Sequence, residues 1–319
     1  MTNDRDGQQT ERTAKRSMPY DIVILGGGPA GLSTALALGR ARKSVLVVDG
    51  GPRRNAAAVH LHNFVTRDGI TPDDFRRIAH EQLAAYPNVE ARVDRIASIS
   101  GTRGAFALRS ESEVIEARRV VLCTGMIDEP LPIEGFAELW GHAIFQCPYC
   151  HGWEVKERPW GFVAHDAAML HFAVMLRSWT RDVTLFTGGA FEVPAEIRAQ
   201  LEAAGVRIEA GPILRLRRRG QTLDGVELDG GRFVPVEALF AHPPQRHVDV
   251  IAALDLALDE GGYVRVDPMS RETSIPGIYA AGDLTTRAQG AVLAAASGAH
   301  AAGMLNYELT AELAALGLL

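Results

Sequence analysis

Three cysteines in 319 residues are too few for a disulfide framework. With no export signal ahead of them, they are expected to work in a reducing, cytoplasmic setting. The opening stretch MTNDRDGQQTERTAKRSM is polar and lacks the apolar core of a secretory leader, so residues 1–18 are expected to form a tail. Long hydrophobic runs are missing too. The two most apolar stretches, around residues 22–39 and 290–305, are broken by glycines, Pro29 or His300, which argues against a membrane span. Basic residues number 33 against 39 acidic ones, so the formal charge of −6 offers no positive field to nucleic acid or an anionic membrane. No second cysteine pair stands at zinc spacing to join Cys147, Cys150 and His151. A four-ligand site cannot be completed, and no metal is expected. What remains is a chain long enough for two domains, with the composition of a soluble enzyme.

The richest segment is Asp21 to Asp49. Ile22–Leu25 reads as a short buried strand, the run Gly26-Gly27-Gly28-Pro29-Ala30-Gly31 follows at once, and Leu32–Arg40 has helical apolar spacing. A second apolar run, Val45–Val48, ends in Asp49, 21 residues after Gly28, with Gly50 next. This is a complete strand-helix-strand dinucleotide fingerprint. Gly26 permits the tight turn, Gly28 lets the backbone approach a pyrophosphate, and Gly31 allows the helix to pack on the strand. The helix start supplies free N–H groups to phosphate, and Asp49 can accept from a ribose hydroxyl.

A second passage lies on the first without a gap at an offset of 138 residues. Val45-Leu46-Val47-Val48 falls on Val183-Thr184-Leu185-Phe186, and Ala35 and Leu38 fall on Ala173 and Leu176. Gly26, Gly28 and Gly31, however, fall on Ala164, Asp166 and Met169, and Asp49 falls on Thr187. An aspartate in place of the second glycine sets negative charge beside a pyrophosphate and fills the space glycine leaves open. The second unit is therefore expected to keep the nucleotide fold without its fingerprint. Further on, Arg119–Gly125 reads as a strand, expected at the closing edge of a nucleotide domain, that leads into a glycine turn at Thr124-Gly125. Ile275–Asp283 reads as a strand delivering Asp283, with a small-residue helix from about Gln289 to Leu305.

Between the two nucleotide units stands Cys147-Pro148-Tyr149-Cys150-His151-Gly152-Trp153-Glu154. If a helix begins near Cys147, the first sulfur meets unpaired N–H groups that favour thiolate, and Pro148 suits the first helical position. Cys150, one turn further in, is better placed to face a cofactor. Cys147 and His151, like Cys150 and Glu154, are four apart and would share helix faces. His151 either moves protons in thiol-disulfide exchange or is held by backbone hydrogen bonds, and Glu154 orients the imidazole or tunes the inner thiol. Cys123, in an apolar strand, reads as a core residue. Arg215–Arg219 reads as a strand with a solvated face, and His60 and His62 read as loop histidines forming hydrogen bonds.

In this order, the GGGPAG turn, the Cys123-Thr124-Gly125 turn, the CxxC and Ala280-Ala281-Gly282-Asp283 resemble the low-molecular-weight thioredoxin reductases over roughly residues 19–310. The resemblance implies an α/β fold of two Rossmann-like, three-layer nucleotide domains, the second inserted in the first. An FAD domain would span 19–128 and 245–319, and the insertion, 129–244, would carry the CxxC. It further implies that Gly282 and Asp283 meet the flavin ribityl and phosphate region, that Gln289, Gly290 and Ala291 lie at the isoalloxazine, that Asn55 and Asn63 lie near it, and that the protein is a homodimer.

Two departures redirect the function. The second glycine turn and the basic stretch that holds the 2'-phosphate of NADPH are replaced by Ala164–Met169 and Thr187-Gly188-Gly189, which argues against NADPH bound in the usual way. The run Cys-x-x-Cys-His-Gly-aromatic-Glu is similar to flavin-dependent dithiol oxidases of the gliotoxin type. A dithiol substrate would then attack a Cys147–Cys150 disulfide, and the resulting dithiol would pass its electrons through the flavin to O2. The alternatives are a disulfide reductase acting on a small disulfide or a thioredoxin-like protein, driven by atypically bound NADPH or by ferredoxin, and a flavin-bound redox sensor that does not turn over.

Overall fold

The computed structural model describes residues 18–319, so all but the last residue of the expected amino-terminal tail lies outside it. The run YDIVIL, apolar but for Asp21, makes the central strand Tyr20–Leu25, five of whose six residues are buried. Strands shielded on both faces by helices are continuous apolar runs in this way. It pairs in parallel with Val45–Val48 on one side and with Val114–Leu122 on the other, and Val89–Arg92 extends the sheet beyond Val45–Val48.

The strand ending at Leu122 is interior to the sheet, which corrects its expected place at the closing edge. Its first half pairs antiparallel with Ala105–Ser110, which in turn pairs antiparallel with Ile96–Thr102, and its second half pairs in parallel with Ile278–Ala280. Its fully buried Val120, Val121 and Leu122 leave no face for solvent.

Between these two pairings the chain builds a second, all-parallel sheet in the order Val206–Glu209, Val183–Phe186, Trp160–Val163, Ala238–Ala241, Ile144–Phe145. The 138-residue offset holds in the pairing itself. Ile22 faces Val45 and Val23 faces Leu46 in the first sheet, while Trp160 faces Val183 and Gly161 faces Thr184 in the second. The two crossing segments, Ile127–Asp128 and Gln245–Arg246, pair antiparallel with each other. A three-stranded antiparallel sheet, Ile213–Arg219, Thr222–Leu228 and Phe233–Pro235, flanks the second unit, and its arginines Arg215, Arg217 and Arg219 pair with Glu227 and Asp224.

The first-sheet helix Pro29–Arg40 packs on the last helix, Ala291–Ala315. Their contact is backbone-close. Thr34 Oγ1 donates to Ala30 O and Gly298 O at 2.8 and 3.1 Å, and a Cβ on Gly298 would stand 2.2 Å from Ala30 O. The last helix runs ten residues past its expected end at Leu305, because Leu309 and Leu313 continue the buried stripe and Glu308 and Glu312 reach the fully buried Arg119. No described helix is long and apolar enough to cross a membrane.

Candidate active site

The two nucleotide units differ where their first helices begin. In the first, Gly26 has a left-handed φ of +103°, and its Cβ would stand 2.3 Å from Cys123 O, so the turn crosses the Cys123-Thr124-Gly125 segment at backbone contact. A Cβ on Gly31 would stand 1.9 Å from Gly26 O, which closes the helix on the turn. Gly28 is different: a Cβ there would meet nothing within 4 Å. The helix Pro29–Arg40 begins there with Pro29 and Ala30 and has no side-chain cap. Open space over an uncapped helix start is what a pyrophosphate needs, so these residues fit a dinucleotide. Asp49 lies beside the turn, accepting a hydrogen bond from Arg76, which also donates to Gly27 O at 2.8 Å. Gly50 has a packing reason as well, since its Cβ would stand 2.2 Å from Asp94 O.

In the second unit the same position is closed. Asp166 caps the turn Ala167–Met169 by accepting from Met169 N–H at 3.2 Å, and the helix Leu170–Leu176 follows. The N–H that a phosphate would take is occupied by a carboxylate of this chain. Thr187 is buried, with no hydrogen-bond partner for its hydroxyl among the described residues.

A polar network joins the first unit to the redox segment. Arg54 donates to both Asp128 oxygens at 2.7 Å, to Asp283 at 2.9 Å and to Gln146 Oε1 at 2.6 Å. Gln146 donates to Gln289 Oε1 at 3.2 Å, and Gln289 donates to Gln245 Oε1 at 2.9 Å and to Asp283 O at 3.4 Å. Gly290 N–H donates to Asp283 at 3.4 Å, and Ala291 opens the last helix. Burial pushes the Asp283 carboxyl up, with Arg54 pulling the other way. Gly282, at φ +77°, sits against Ala30 of the fingerprint helix. Thus Gly282, Asp283, Gln289 and Gly290 gather beside the residue that precedes Cys147. Asn55 is exposed, whereas Asn63, at φ +62°, donates its side-chain amide to Tyr149 O of the redox segment. Arg54, Asp128, Gln146 and Gln245 escape sequence reasoning because no spacing marks them. Asp128, Gln146 and Gln245 are signalled only by adjacency to the crossing segments or to Cys147, and Arg54 only by standing next to Asn55.

The redox helix is one turn, Pro148–His151, with Cys147 as its amino-terminal cap. It stops at Gly152, where a Cβ would stand 2.4 Å from Pro148 O and 3.0 and 3.1 Å from Trp179 and Trp160. Glu154 therefore lies beyond the helix, and the expected shared face with Cys150 does not form. The Cys147 and Cys150 sulfurs are 2.7 Å apart, with the Cys150 thiol directed at Cys147. That contact, aided by the Cys150 and Tyr149 N–H groups, lowers the Cys147 thiol to about 7, while the same contact and then burial push Cys150 up. Of the two, Cys147 has the greater thiolate character. Cys123 is buried and its thiol is pushed up to about 12 by burial, which leaves it inert.

His151 stacks on Phe145 at 4.6 Å, and neither buried ring nitrogen has a hydrogen-bond partner among the described residues. The backbone hydrogen bond of the alternative reading is not found among the described residues. Burial lowers its pKa, opposed by Glu154 and assisted by His62. Glu154 does not hold the His151 ring; its partner is His62, whose Nε2 lies 3.4 Å away. His62, read from sequence as an ordinary loop histidine, instead faces the redox segment.

An inserted second nucleotide fold, an open glycine turn in the first and a dithiol between them define a nucleotide-dependent disulfide oxidoreductase. The family model of the pyridine nucleotide-disulphide oxidoreductases matches residues 20–301, and the chain belongs to that family. It is 31% identical over 316 residues to thioredoxin reductase sirT of Leptosphaeria maculans, covering 93% of this chain and 96% of the relative. Thioredoxin reductase tcpT of Claviceps purpurea is 33% identical over 309 residues, with 92% and 95% covered. The crystal structure of an oxidoreductase from Agrobacterium tumefaciens is similar at 37% identity and a TM-score of 0.86, with 92% and 99% covered. The chain is an enzyme of the thioredoxin reductase-like disulfide oxidoreductase type, and its family binds FAD.

Proposed function

We propose that this enzyme is an FAD-dependent dithiol oxidase, with Cys147 and Cys150 as its redox pair and O2 as the final acceptor. The observation that carries this reading is the contrast between Gly28, open above an uncapped helix, and Asp166, whose carboxylate takes the corresponding N–H. The first site fits FAD; the second disfavours NADPH, because two like charges would compete for one helix start. In this reading residues 19–128 and 245–319 form the FAD domain and 129–244 the insertion. Gly26, Gly28, Pro29, Ala30, Gly31, Asp49, Gly50, Thr124, Gly125, Gly282, Asp283, Gln289, Gly290 and Ala291 would hold FAD, with Asn55 and Asn63 at its margin.

The chemistry of the chain's own residues follows from the thiol asymmetry. In the oxidised enzyme a substrate thiolate attacks Cys147 Sγ and the Cys147–Cys150 bond breaks. The second substrate sulfur then attacks its own mixed disulfide, releasing a cyclic or intramolecular disulfide and leaving Cys147 as thiolate and Cys150 as thiol. His151, neutral because it is buried, accepts the proton that the substrate releases. When bound, FAD supplies the two-electron acceptor that restores the disulfide and passes the pair to O2 as hydrogen peroxide.

The test is anaerobic. Dithiothreitol should bleach the yellow holoenzyme, and air should restore the colour with release of peroxide. Rapid bleaching by NADPH would overturn the oxidase reading. It would favour the second reading, a reductase for a thioredoxin-like partner, which rests on the printed names of the relatives.

A further inference from the structure

Resting on the redox-pair reading, the geometry points to His62 as a positioning residue that sets the basicity of His151 through the carboxylate of Glu154. His62 belongs to the loop between Leu61 and Ile70, which closes on itself by an antiparallel bridge and comes from the first nucleotide unit rather than the redox segment. The same loop grips the redox helix at a second point, where Asn63 donates to Tyr149 O. His62 is therefore brought to Glu154 only when the loop and the redox helix are docked.

The charged groups around this imidazole are few. From its own loop, Asp68 lies 3.4 Å from Nδ1 and His60 stands 6.1 Å away, ring to ring. From the redox segment, Glu154 lies 3.4 Å from Nε2, and His151 is close enough to be influenced by both His62 and Glu154. The line runs outward: His151 has both nitrogens buried, the His62 side chain is 19% exposed, Glu154 is 43% exposed and Asp68 is 67% exposed. A proton taken by His151 creates a buried cation, and Glu154 is the nearby anion that favours it. His62 competes for that anion. When His62 is protonated, Glu154 is shared and His151 releases its proton more readily. When His62 is neutral, Glu154 serves His151 alone.

The step balances without an external oxidant. A substrate dithiol and the enzyme disulfide give a substrate disulfide, Cys150 as thiol, Cys147 as thiolate and one proton, and that proton leaves through His151. Removing the imidazole in His62→Ala should raise the pKa of His151. A neutral His151 is the base, so the acid limb of dithiol reactivity should move to higher pH. Glu154→Gln should move it to lower pH, and the double variant should match Glu154→Gln, because His62 acts through that carboxylate.

Two readouts are made on the holoenzyme. Nitrogen-15 NMR titration of imidazole-labelled protein follows the His151 protonation directly, and anaerobic single-turnover bleaching by dithiothreitol follows its consequence across pH. Opposite displacements in the two single variants are expected, with His62→Asn retaining folding. A slower reaction in both variants without displacement of the His151 titration would overturn the assignment and leave His62 a loop-docking residue. Failure of dithiothreitol to reduce the wild-type enzyme at any pH would instead overturn the redox-pair reading on which the assignment rests.

Discussion

Asp166 accepts a hydrogen bond from Met169 N–H at 3.2 Å, where the equivalent helix start in the first nucleotide unit is uncapped. Wild-type enzyme should therefore show no saturable binding of NADPH or NADH by calorimetry. Asp166→Gly should lose only about 0.3 kcal/mol of stability, since glycine is itself tolerated as a helix cap. It should gain weak nucleotide binding without preferring NADPH over NADH, because no basic stretch follows Val183–Phe186 to hold a 2'-phosphate. Wild-type binding as tight as that of the variant would show that Asp166 does not guard the site.

Cys147 and Cys150 should separate chemically. In the reduced enzyme Cys147 should be alkylated by iodoacetamide with a pH midpoint near about 7, and Cys150 should resist. Because the Cys150 thiol is the largest cause of the lowered value, Cys150→Ala should move the Cys147 midpoint up toward that of an ordinary thiol. Cys150→Ser, offered oxidised glutathione, should hold one glutathione as a stable mixed disulfide on Cys147 and release the other as thiol, visible by intact mass. Equal alkylation of both cysteines in the wild type would contradict the asymmetry.

Arg119, in the strand Val114–Leu122, is fully buried and pairs with Glu312 and Glu308, while Glu308 also accepts from Tyr279 at 2.5 Å. Removing one partner of a fully buried pair costs about 3–5 kcal/mol, but these carboxylates are roughly a third exposed and solvent will screen what is left, so Arg119→Met should cost nearer about 2 kcal/mol. Urea unfolding of the holoenzyme reads the difference. A loss below about 0.5 kcal/mol would mean that the apolar replacement fully offsets the lost pairs.

What could be read from sequence follows from how local each signal is. The strands Tyr20–Leu25 and Val45–Val48, the glycine turn between them and the degenerate copy at 160–186 are set by neighbours in the chain, and their paired registers repeat at the same offset. The edge placement of Arg119–Gly125 failed because a strand's neighbours are chosen by distant segments, here Ala105–Ser110 and Ile278–Ala280. The shared face of Cys150 and Glu154 failed because the redox helix is a single turn, Pro148–His151, and a spacing of four read as helical assumes turns that are not there. His62 and Glu154 are 92 residues apart in the chain and meet only through the docking of two units. Arg54 is similar, since its worth lies in three partners brought together from residues 128, 146 and 283.

The last helix offers two glycines with opposite expectations. Gly298 is buried, and a Cβ there would stand 2.2 Å from Ala30 O and 2.8 Å from Thr34 Oγ1, backbone and side chain of the fingerprint helix. Gly303, in the same helix, is exposed and would meet nothing within 4 Å. Gly303→Ala should stabilise the protein by about 0.5–1 kcal/mol, since alanine narrows the unfolded ensemble and fills no occupied space. Gly298→Ala carries the same entropic gain yet must push two helices apart, at a cost of about 1–3 kcal/mol or more. Because the displaced helix is the one that begins at Gly28, Gly298→Ala should also lower the flavin content of purified protein, measured by the ratio of absorbance at the flavin band to that of the protein. Gly303→Ala should leave that ratio unchanged. Equal thermal shifts in the two variants would show that the helix pair is not held at backbone contact.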